Sequence, residues 1–271
     1  MNRIKQRFES LHQQGRKALI SYVVMGDPAK DVTLPVMHAL VASGTDIIEL
    51  GIPFSDPNAE GPVIQKAHER ALEHGSSLRD ALALVKQFRE TDSDTPVLLM
   101  GYTNPIERMG YDTFIENAVD AGVDAVLTVD LPPEEAEEFN EHLKQANMEN
   151  IFLLAPTSSL ARQKKVTSMA GGFIYYVSLK GVTGAGNLDI NSVNENVTSI
   201  RSLTDLPVCV GFGIKDGASA RAVADLSDGV VIGSVLVNQI AVLAEQGETN
   251  PATYAEAVSV IITEIREALD K

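Results

Sequence analysis

The sequence predicts a single (β/α)8 barrel, the TIM barrel, with extra helices, and three observations lead to this fold class. The chain has 271 residues, and such barrels typically have about 250. Short apolar and β-branched runs alternate with segments of helical spacing, and several runs are apolar at nearly every position, as strands buried on both faces are. Because there are eight such runs, the barrel is favoured over the alternative, a doubly wound open sheet.

The predicted elements follow one another as strand and helix along the whole chain. Strands are expected at Ala18–Met25, Ile47–Gly51, Val97–Gly101, Ala125–Val129, Ile151–Leu154, Phe173–Val177, Val208–Gly211 and Gly229–Ile232. Helical spacing is found around Val36–Val41, Leu78–Val85 and Phe114–Ala121, and at Glu134–Ala146, Leu160–Met169, Val193–Leu203, Ala218–Leu226 and Val235–Glu245. Extra helices are expected at the start (Ile4–Gln14), after the second strand (Val63–His74) and at the end (Tyr254–Ala268). No change in composition divides the chain, so we expect residues 1–271 to form one catalytic barrel domain.

The composition disfavours several classes of protein. With 22 Lys and Arg against 37 Asp and Glu, the formal net charge is −15, which repels phosphate backbones and anionic lipid, so neither a nucleic acid nor a membrane is expected as a partner. The single cysteine, Cys209, cannot form an internal disulfide or a thiolate metal cluster. Residues 1–17 lack the apolar stretch of a signal peptide, and no later run is long enough to span a membrane. We therefore expect a cytoplasmic protein.

Glu49 is the most informative polar residue, because it lies near the end of the second predicted strand. Barrel enzymes place their active sites at the C-terminal ends of the strands. Strand alternation puts Glu49 on the same face as Ile47, and both faces of a barrel strand are covered. No basic residue occurs between Lys30 and Lys66 to pair with it. We expect burial to raise the pKa of Glu49 towards neutrality, which suits a general acid/base; the alternative is a carboxylate in a structural ion pair.

The loop after this strand, residues 52–62, carries three prolines and two carboxylates. Because proline fixes φ, the loop is expected to be stiff, as a loop that presents a catalytic group should be. Glu60 is the candidate for a second carboxylate beside Glu49. Asp56 fits either a site residue or a turn residue that hydrogen-bonds its own backbone.

Glycine-rich loops follow the last three predicted strands. Residues 180–187 carry three glycines and predict either a mobile lid or a plain surface loop. Gly211-Phe212-Gly213 follows the seventh strand, and Gly233-Ser234 follows the eighth and begins a helix. Backbone N–H groups at these two turns predict a phosphate site, for which tight packing between strand and helix is the alternative.

The histidines and lysines disfavour other reaction classes. All five histidines fall on predicted helices and none lies at a strand end, which disfavours Ser-His catalysis and a His-ligated metal, so no metal is expected; they are His12, His38, His68, His74 and His142. Lys180, near a strand end, lies in a polar glycine loop that would not lower its pKa enough for a Schiff base. Spacing alone predicts carboxylate acid/base catalysis on a phosphorylated, partly apolar substrate.

Motifs from about residue 20 to residue 235 match one known family in barrel order. The most specific is Glu49-Leu50-Gly51-Ile52-Pro53-Phe54-Ser55-Asp56-Pro57, followed by Gly61-Pro62-Val63-Ile64-Gln65. Further matches are Gly26-Asp27-Pro28, Asp130-Leu131-Pro132-Pro133-Glu134-Glu135, Tyr175-Tyr176-Val177-Ser178, Gly181-Val182-Thr183-Gly184 and Gly211-Phe212-Gly213. In these residues the chain resembles the tryptophan synthase alpha chain.

The resemblance implies an activity and a set of site residues. The activity is the retro-aldol cleavage of indole-3-glycerol phosphate to indole and glyceraldehyde 3-phosphate in tryptophan biosynthesis. The resemblance implies that Glu49 protonates indole C3 and helps to remove the glycerol hydroxyl proton, that Glu60 holds the indole N–H, and that Thr183 orients Glu49 once the lid closes. The implied indole pocket comprises Tyr22, Met100, Tyr102, Leu127, Leu153, Tyr175 and Phe212, and the implied phosphate site comprises Gly184, Gly213, Gly233 and Ser234.

The resemblance also implies a partner, the beta chain of tryptophan synthase. Indole would pass to this chain, which carries pyridoxal phosphate, so no cofactor is expected on the chain described here. An alpha2-beta2 heterotetramer is expected. The implied partner surface includes Pro53, Asp56, Asn104, Asp130, Pro132, Glu134 and Glu135.

Three residues depart from the family pattern. Glu60 stands where the pattern has Asp, Asn58 where it has Leu, and Leu179 where some members have Arg. The extra methylene of Glu60 requires the carboxylate to retract or the loop to shift by about 1 Å. The departures at Glu60 and Asn58 leave open an alternative, a weakly active alpha-type subunit whose main role is allosteric activation of the beta chain. Another phosphate-binding barrel, such as an isomerase of an anthranilate-derived sugar phosphate, would explain Gly213 and Ser234 but not the second-strand motif.

Overall fold

The computed structural model of the chain describes residues 2–178, 190–211 and 213–271. The strands in these residues are β1 (Ala18–Val24), β2 (Ile47–Gly51), β3 (Val97–Gly101), β4 (Ala125–Thr128), β5 (Glu149–Asn150), β6 (Phe152–Leu154), β7 (Ile174–Val177), β8 (Val208–Gly211) and β9 (Gly229–Ile232). They form one sheet in the order β5-β4-β3-β2-β1-β9-β8-β7-β6, and every pairing is parallel. The predicted barrel is confirmed, and each predicted strand overlaps an observed one.

The fifth strand, predicted at Ile151–Leu154, begins two residues earlier and is observed in two parts, β5 and β6, that close the ring. β5 pairs with β4, whereas β6 pairs with β7. Ile151 joins the two parts, and its N–H donates to the carbonyl oxygen of Val126 at 2.9 Å. The segment thus passes from one neighbour to the other, so nine strands in the described residues occupy the eight positions of a barrel.

Helices surround the barrel and cover one of its ends. Those in the described residues are α1 (Arg3–Gln13), α2 (Lys30–Ala42), α3 (Pro62–Glu73), α4 (Leu78–Arg89), α5 (Thr103–Met109), α6 (Tyr111–Ala121), α7 (Glu137–Gln145), α8 (Leu160–Met169), α9 (Ile190–Arg201), α10 (Gly217–Ala224), α11 (Ser234–Glu245) and α12 (Pro251–Leu269). The three extra helices predicted from the sequence are α1, α3 and α12, and they are confirmed. No helix of the described ranges combines the length and the apolar content needed to cross a bilayer.

The helix α5 is absent from the sequence prediction, and α7 begins later than predicted. We did not predict α5, because seven residues with one buried apolar side chain, Ile106, show no helical period. α7 begins at Glu137 rather than at Glu134. The intervening residues form a turn in which the N–H of Glu135 donates to the carbonyl oxygen of Pro132 at 2.9 Å.

The alternation of strand side chains divides the core into two parts. Residues such as Ile48 and Leu50 point outwards and pack under the helices, while Ile47 and Leu98 fill the barrel interior. Side chains of α1, among them Phe8, pack into the same interior cluster and cover the N-terminal end of the barrel. The opposite end, where the strands finish, is therefore the one left for a binding site.

Candidate active site

A cavity of about 560 Å³ lies at the C-terminal ends of the strands. Its wall contains two carboxylates, Glu49 and Glu60, and three residues of the predicted phosphate site, Gly213, Gly233 and Ser234. The rest of the wall is mostly apolar and is formed by Tyr22, Val63, Ile64, Met100, Val129, Leu153, Tyr175, Val177, Ile214 and Val231. A cavity with this lining suits a ligand that has one apolar end and one anionic end.

Glu49 lies on β2 with its side chain inside the barrel, on the face that strand alternation predicts. It is only 1% exposed, and its Oε1 has no hydrogen-bond partner among the residues that the structure describes. Burial, and secondarily the charge of Glu60, raise the pKa of Glu49 to about 8. The carboxyl group is therefore mostly protonated at neutral pH and can serve as a proton donor inside the cavity.

Glu60 lies in the loop between β2 and α3 and is held by two neighbouring side chains. Its Oε2 accepts a hydrogen bond from the Tyr22 hydroxyl at 3.3 Å and lies 3.1 Å from Nε2 of His68. The Glu60 side chain is 5% exposed. Burial, and then the charge of Glu60, raise the pKa of Tyr22 well above its usual value, so this hydroxyl remains a hydrogen-bond donor.

His68 is a site neighbour that reasoning from strand ends did not find. Its predicted place on a helix is confirmed, because it lies in α3. Its side chain is 1% exposed, and Nε2 contacts the carboxylate of Glu60. Gly61 and Ile64 line the cavity, and His68 follows them at helical spacing. This spacing is the signal in the sequence that could have found His68. Within the described ranges, no group of three or more His, Cys, Asp or Glu is arranged to hold a metal ion.

The predicted indole pocket is only partly at the cavity surface. Tyr22, Met100, Leu153 and Tyr175 line it, whereas Tyr102 and Leu127 do not, and Phe212 lies outside the described residues. Leu127 is fully buried in the barrel interior. Because strand side chains alternate, the residue two positions later, Val129, reaches the cavity in its place.

Tyr102 lies behind the loop that carries Glu60. Its ring stacks on Phe54 with ring centroids 4.8 Å apart, and its hydroxyl accepts a hydrogen bond from the N–H of Ala59 at 3.3 Å. Burial, and then the charge of Glu60, raise the pKa of Tyr102. The residue therefore supports the loop and does not line the described cavity.

The predicted phosphate residues that the structure describes meet at one edge of the cavity. Gly213 has φ +78° and so requires glycine, and α11 begins at Ser234 with Gly233 as its N-cap. The first N–H groups of a helix have no partner within it and favour an anion. Lys215 and Asn238 line the same edge; Asn238, one helical turn after Ser234, could have been found from that spacing.

Some predicted residues of this region fall outside the described part of the chain. They are Thr183 and Gly184, predicted to orient Glu49 and to bind phosphate, together with Leu179 at the start of the glycine loop.

The glycine at the end of β8 does have a packing role, because a Cβ on Gly211 would collide with the hydroxyl of Tyr175. That glycine therefore admits a ring of the cavity wall from the neighbouring strand β7, which is not the packing between strand and helix named as the alternative.

The residues of the implied partner surface are mostly exposed. Exposed side chains belong to Asp56, Asn104, Asp130, Glu134 and Glu135, and Pro132 is half-buried. Pro53 is buried and offers no surface in this arrangement. The side chain of Asp130 accepts hydrogen bonds from the N–H and the hydroxyl of Thr103 at 2.7 and 2.8 Å, which joins the loop after β4 to the start of α5.

Comparison with known proteins decides the family. The family model described as Tryptophan synthase alpha chain matches residues 8–266. The chain belongs to the tryptophan synthase alpha chain family. The tryptophan synthase alpha chain of Thioalkalivibrio sulfidiphilus is 56% identical over 270 residues and covers 100% of both chains. That of Nitrosococcus oceani is 54% identical over 270 residues, with 100% of this chain and 98% of the relative covered.

A solved structure agrees with this assignment. Tryptophan synthase subunit alpha from Legionella pneumophila superposes with a TM-score of 0.91 at 42% identity, over 100% of this chain and 99% of that one. Alpha chains of tryptophan synthase are lyases of tryptophan biosynthesis that cleave indole-3-glycerol phosphate to indole and glyceraldehyde 3-phosphate. They carry no cofactor of their own and pair with the beta chain, to which pyridoxal phosphate belongs.

Proposed function

We propose that Glu49 and Glu60 carry out the retro-aldol cleavage of indole-3-glycerol phosphate in this chain. The observation that carries the proposal is the pair of carboxylates in one mostly apolar cavity. One of them, Glu49, is buried, has an oxygen without a partner in the described part of the chain, and has a pKa raised to about 8. A carboxyl group in this state can give a proton and then take one back near neutral pH.

The two carboxylates divide the steps of the reaction between them. Glu49 gives its proton to C3 of the indole ring, and the positive charge that results lies on the ring nitrogen. Glu60 accepts the hydrogen bond of the ring N–H and stabilises that charge. The ionised Glu49 then takes the proton of the glycerol hydroxyl group, the bond between the ring and the glycerol carbon breaks, and its electron pair returns to the ring. Indole and the aldehyde leave, and Glu49 is protonated again.

The remaining site residues bind the two ends of the substrate in this proposal. Tyr22, Met100, Leu153 and Tyr175 contact the indole ring together with Phe212, and Tyr102 and Leu127 support that pocket from behind. Gly213, Gly233 and Ser234 bind the phosphate together with Gly184. Thr183 orients Glu49. The cavity edge at Ser234 lies at the N-terminus of α11, which supports the phosphate assignment.

The beta chain is proposed to bind the exposed acidic side of the barrel in an alpha2-beta2 heterotetramer. Asp56, Asp130, Glu134 and Glu135 are exposed, and with a net charge of −15 the chain favours a partner that presents basic residues. Pro53 would contribute through the conformation of its loop, since it is buried here.

The cytoplasm is the proposed location, where Cys209, the only cysteine of the sequence, would remain a thiol.

We propose that residues 1–271 act as one catalytic domain. Side chains from distant parts of the chain belong to one core cluster, which includes Val258 and Ile262 of α12 together with Val36 and Leu40 of α2. The strands of the barrel contribute to the same cluster. Removing α12 would therefore expose the outer face of the barrel beneath it.

A second candidate function is a weakly active subunit that serves mainly to activate the beta chain. The departures from the family pattern at Glu60 and Asn58 favour it, because the extra methylene of Glu60 requires the carboxylate to retract or the loop to shift. Indole release from indole-3-glycerol phosphate, measured with and without beta chain, separates the two functions. We expect the wild-type chain to release indole in both assays and the Glu49→Gln variant to release it in neither. Isolated wild-type chain that is no faster than this variant would favour the second function.

A further inference from the structure

The ring of His68 bridges the backbone of the β2–α3 loop and the carboxylate of Glu60. Its Nδ1 accepts a hydrogen bond from the N–H of Phe54 at 3.1 Å. On the other side of the ring, Nε2 lies 3.1 Å from Oε2 of Glu60 and 3.4 Å from the hydroxyl oxygen of Tyr22. The side chain is 1% exposed, so the ring is enclosed by these partners.

The contact with Phe54 determines which nitrogen of the neutral ring carries the proton. A backbone N–H can only donate, so Nδ1 must be the acceptor and must be unprotonated. In a neutral imidazole the proton is then on Nε2, which faces Glu60. The backbone of the loop thus sets the ring to donate a hydrogen bond to the carboxylate.

Two donors therefore converge on one oxygen of Glu60. The Tyr22 hydroxyl and the Nε2–H of His68 both end on Oε2. There is space for the hydroxyl because position 51 is glycine; a Cβ there would lie 2.5 Å from the Tyr22 hydroxyl oxygen. A glutamate side chain has one more rotatable bond than an aspartate, and hydrogen bonds to one of its oxygens restrict that freedom.

We infer that His68 is a positioning residue, which holds the longer side chain of Glu60 so that its carboxylate meets the indole N–H. The inference rests on the proposed role of Glu60 and adds the residue that makes a glutamate suitable there. A displacement of about 1 Å at a reacting group can cost about 100-fold in rate. The hydrogen bond to Glu60 therefore affects the rate of cleavage, although His68 does not line the cavity.

Two substitutions separate the two hydrogen bonds of the ring. In His68→Gln, the side-chain amide reaches the position of Nε2 and can still donate to Glu60. In His68→Asn, the shorter amide oxygen replaces Nδ1 and can still accept from Phe54, but the amide does not reach Glu60. We expect His68→Asn to lower kcat by about 10-fold or more with KM changed by less than about threefold. We expect His68→Gln to keep kcat within about threefold of wild type.

Other rankings would overturn the inference. A larger loss in His68→Gln than in His68→Asn would mean that the contact with Phe54 is the one that matters. Equal losses would mean that the ring is needed for its shape, and two fully active variants would mean that Glu60 needs no such support. Thermal unfolding of both variants is measured alongside; equal melting temperatures assign the difference in kcat to the site.

A substrate analogue methylated on the indole nitrogen gives a measurement that a purely structural role of His68 would leave unchanged. This analogue has no N–H for Glu60 to accept, so the ratio of the wild-type rate to the His68→Asn rate is expected to fall towards one. An unchanged ratio would overturn the inference. The Glu60→Gln variant, measured in the same series, distinguishes the two proposals. Normal turnover in Glu60→Gln would contradict the proposed role of Glu60 itself. Low turnover in Glu60→Gln together with full activity in His68→Asn would contradict only the role of His68.

Discussion

Indole release is expected to be abolished in the Glu49→Gln variant, while substrate still binds. Glutamine has nearly the shape of glutamate but cannot give or take the proton, and general acid/base catalysis typically contributes about 100- to 10,000-fold. Indole release is measured in a stopped assay, and substrate affinity is measured by calorimetry, which the inactive variant permits. Substantial cleavage by this variant would contradict the assignment of Glu49 as the acid and base.

The stability of the same variant serves as the control for its fold. The unfolded chain loses the Glu49 proton near its ordinary pKa of 4.5, whereas the native state keeps it up to about pH 8. The contribution of this proton to the free energy of unfolding is therefore complete below about pH 4.5 and is lost as the pH rises to about 8. Within that range the loss is roughly 1.4 kcal/mol per pH unit. Because glutamine does not ionise, we expect Glu49→Gln to be at least as stable as wild type at pH 8. An inactive variant that is clearly less stable there would indicate misfolding.

Glu60→Gln is expected to lower kcat by about 100-fold or more, as the loss of one preorganised group that stabilises developing charge does in other enzymes. The amide can still occupy the place of the carboxylate between Tyr22 and His68, but it carries no charge to offset that on the ring nitrogen. Steady-state kinetics of indole release give kcat and KM separately. Normal turnover in this variant would contradict the role of Glu60.

Glu60→Asp is the matched control for that substitution. It keeps the charge but shortens the side chain, so its carboxylate moves away from Nε2 of His68, which lies 3.1 Å from Oε2 in the wild-type chain. We expect it to turn over faster than Glu60→Gln and more slowly than wild type. If Glu60→Asp and Glu60→Gln lost equal activity, the charge would not be what matters at this position.

The strands of the barrel could be predicted because each is a short apolar run, and the order of strand and helix then determines the fold. The two-part fifth strand could not be predicted, because the split at Ile151 depends on which neighbour each half pairs with. The short helix α5 could not be predicted either, since Ile106 is its only buried apolar residue. Local periodicity therefore gives the elements, while pairing across the sheet determines where they are interrupted.

The burial of Glu49 followed from strand alternation, and its raised pKa followed from burial together with the absence of a basic neighbour in sequence. Leu127 shows the limit of this reasoning, because alternation gives the face of a strand but not the depth along the barrel at which the cavity begins. Tyr102 and His68 show a second limit. Tyr102 contacts the N–H of Ala59, and His68 contacts the carboxylate of Glu60. These contacts join the Glu60 loop to other elements, and the periodicity of a single element does not reveal them.

The central claim is that Glu49 holds a proton at neutral pH inside the cavity, ready to give it to the indole ring. Infrared difference spectra between wild type and Glu49→Gln measure this directly, because a protonated carboxyl group and a carboxylate absorb at different frequencies. We predict a carboxyl band that is absent from the variant and disappears in wild type with an apparent pKa of about 8. Loss of that band already below about pH 6, close to the ordinary pKa of a glutamate, would contradict the claim.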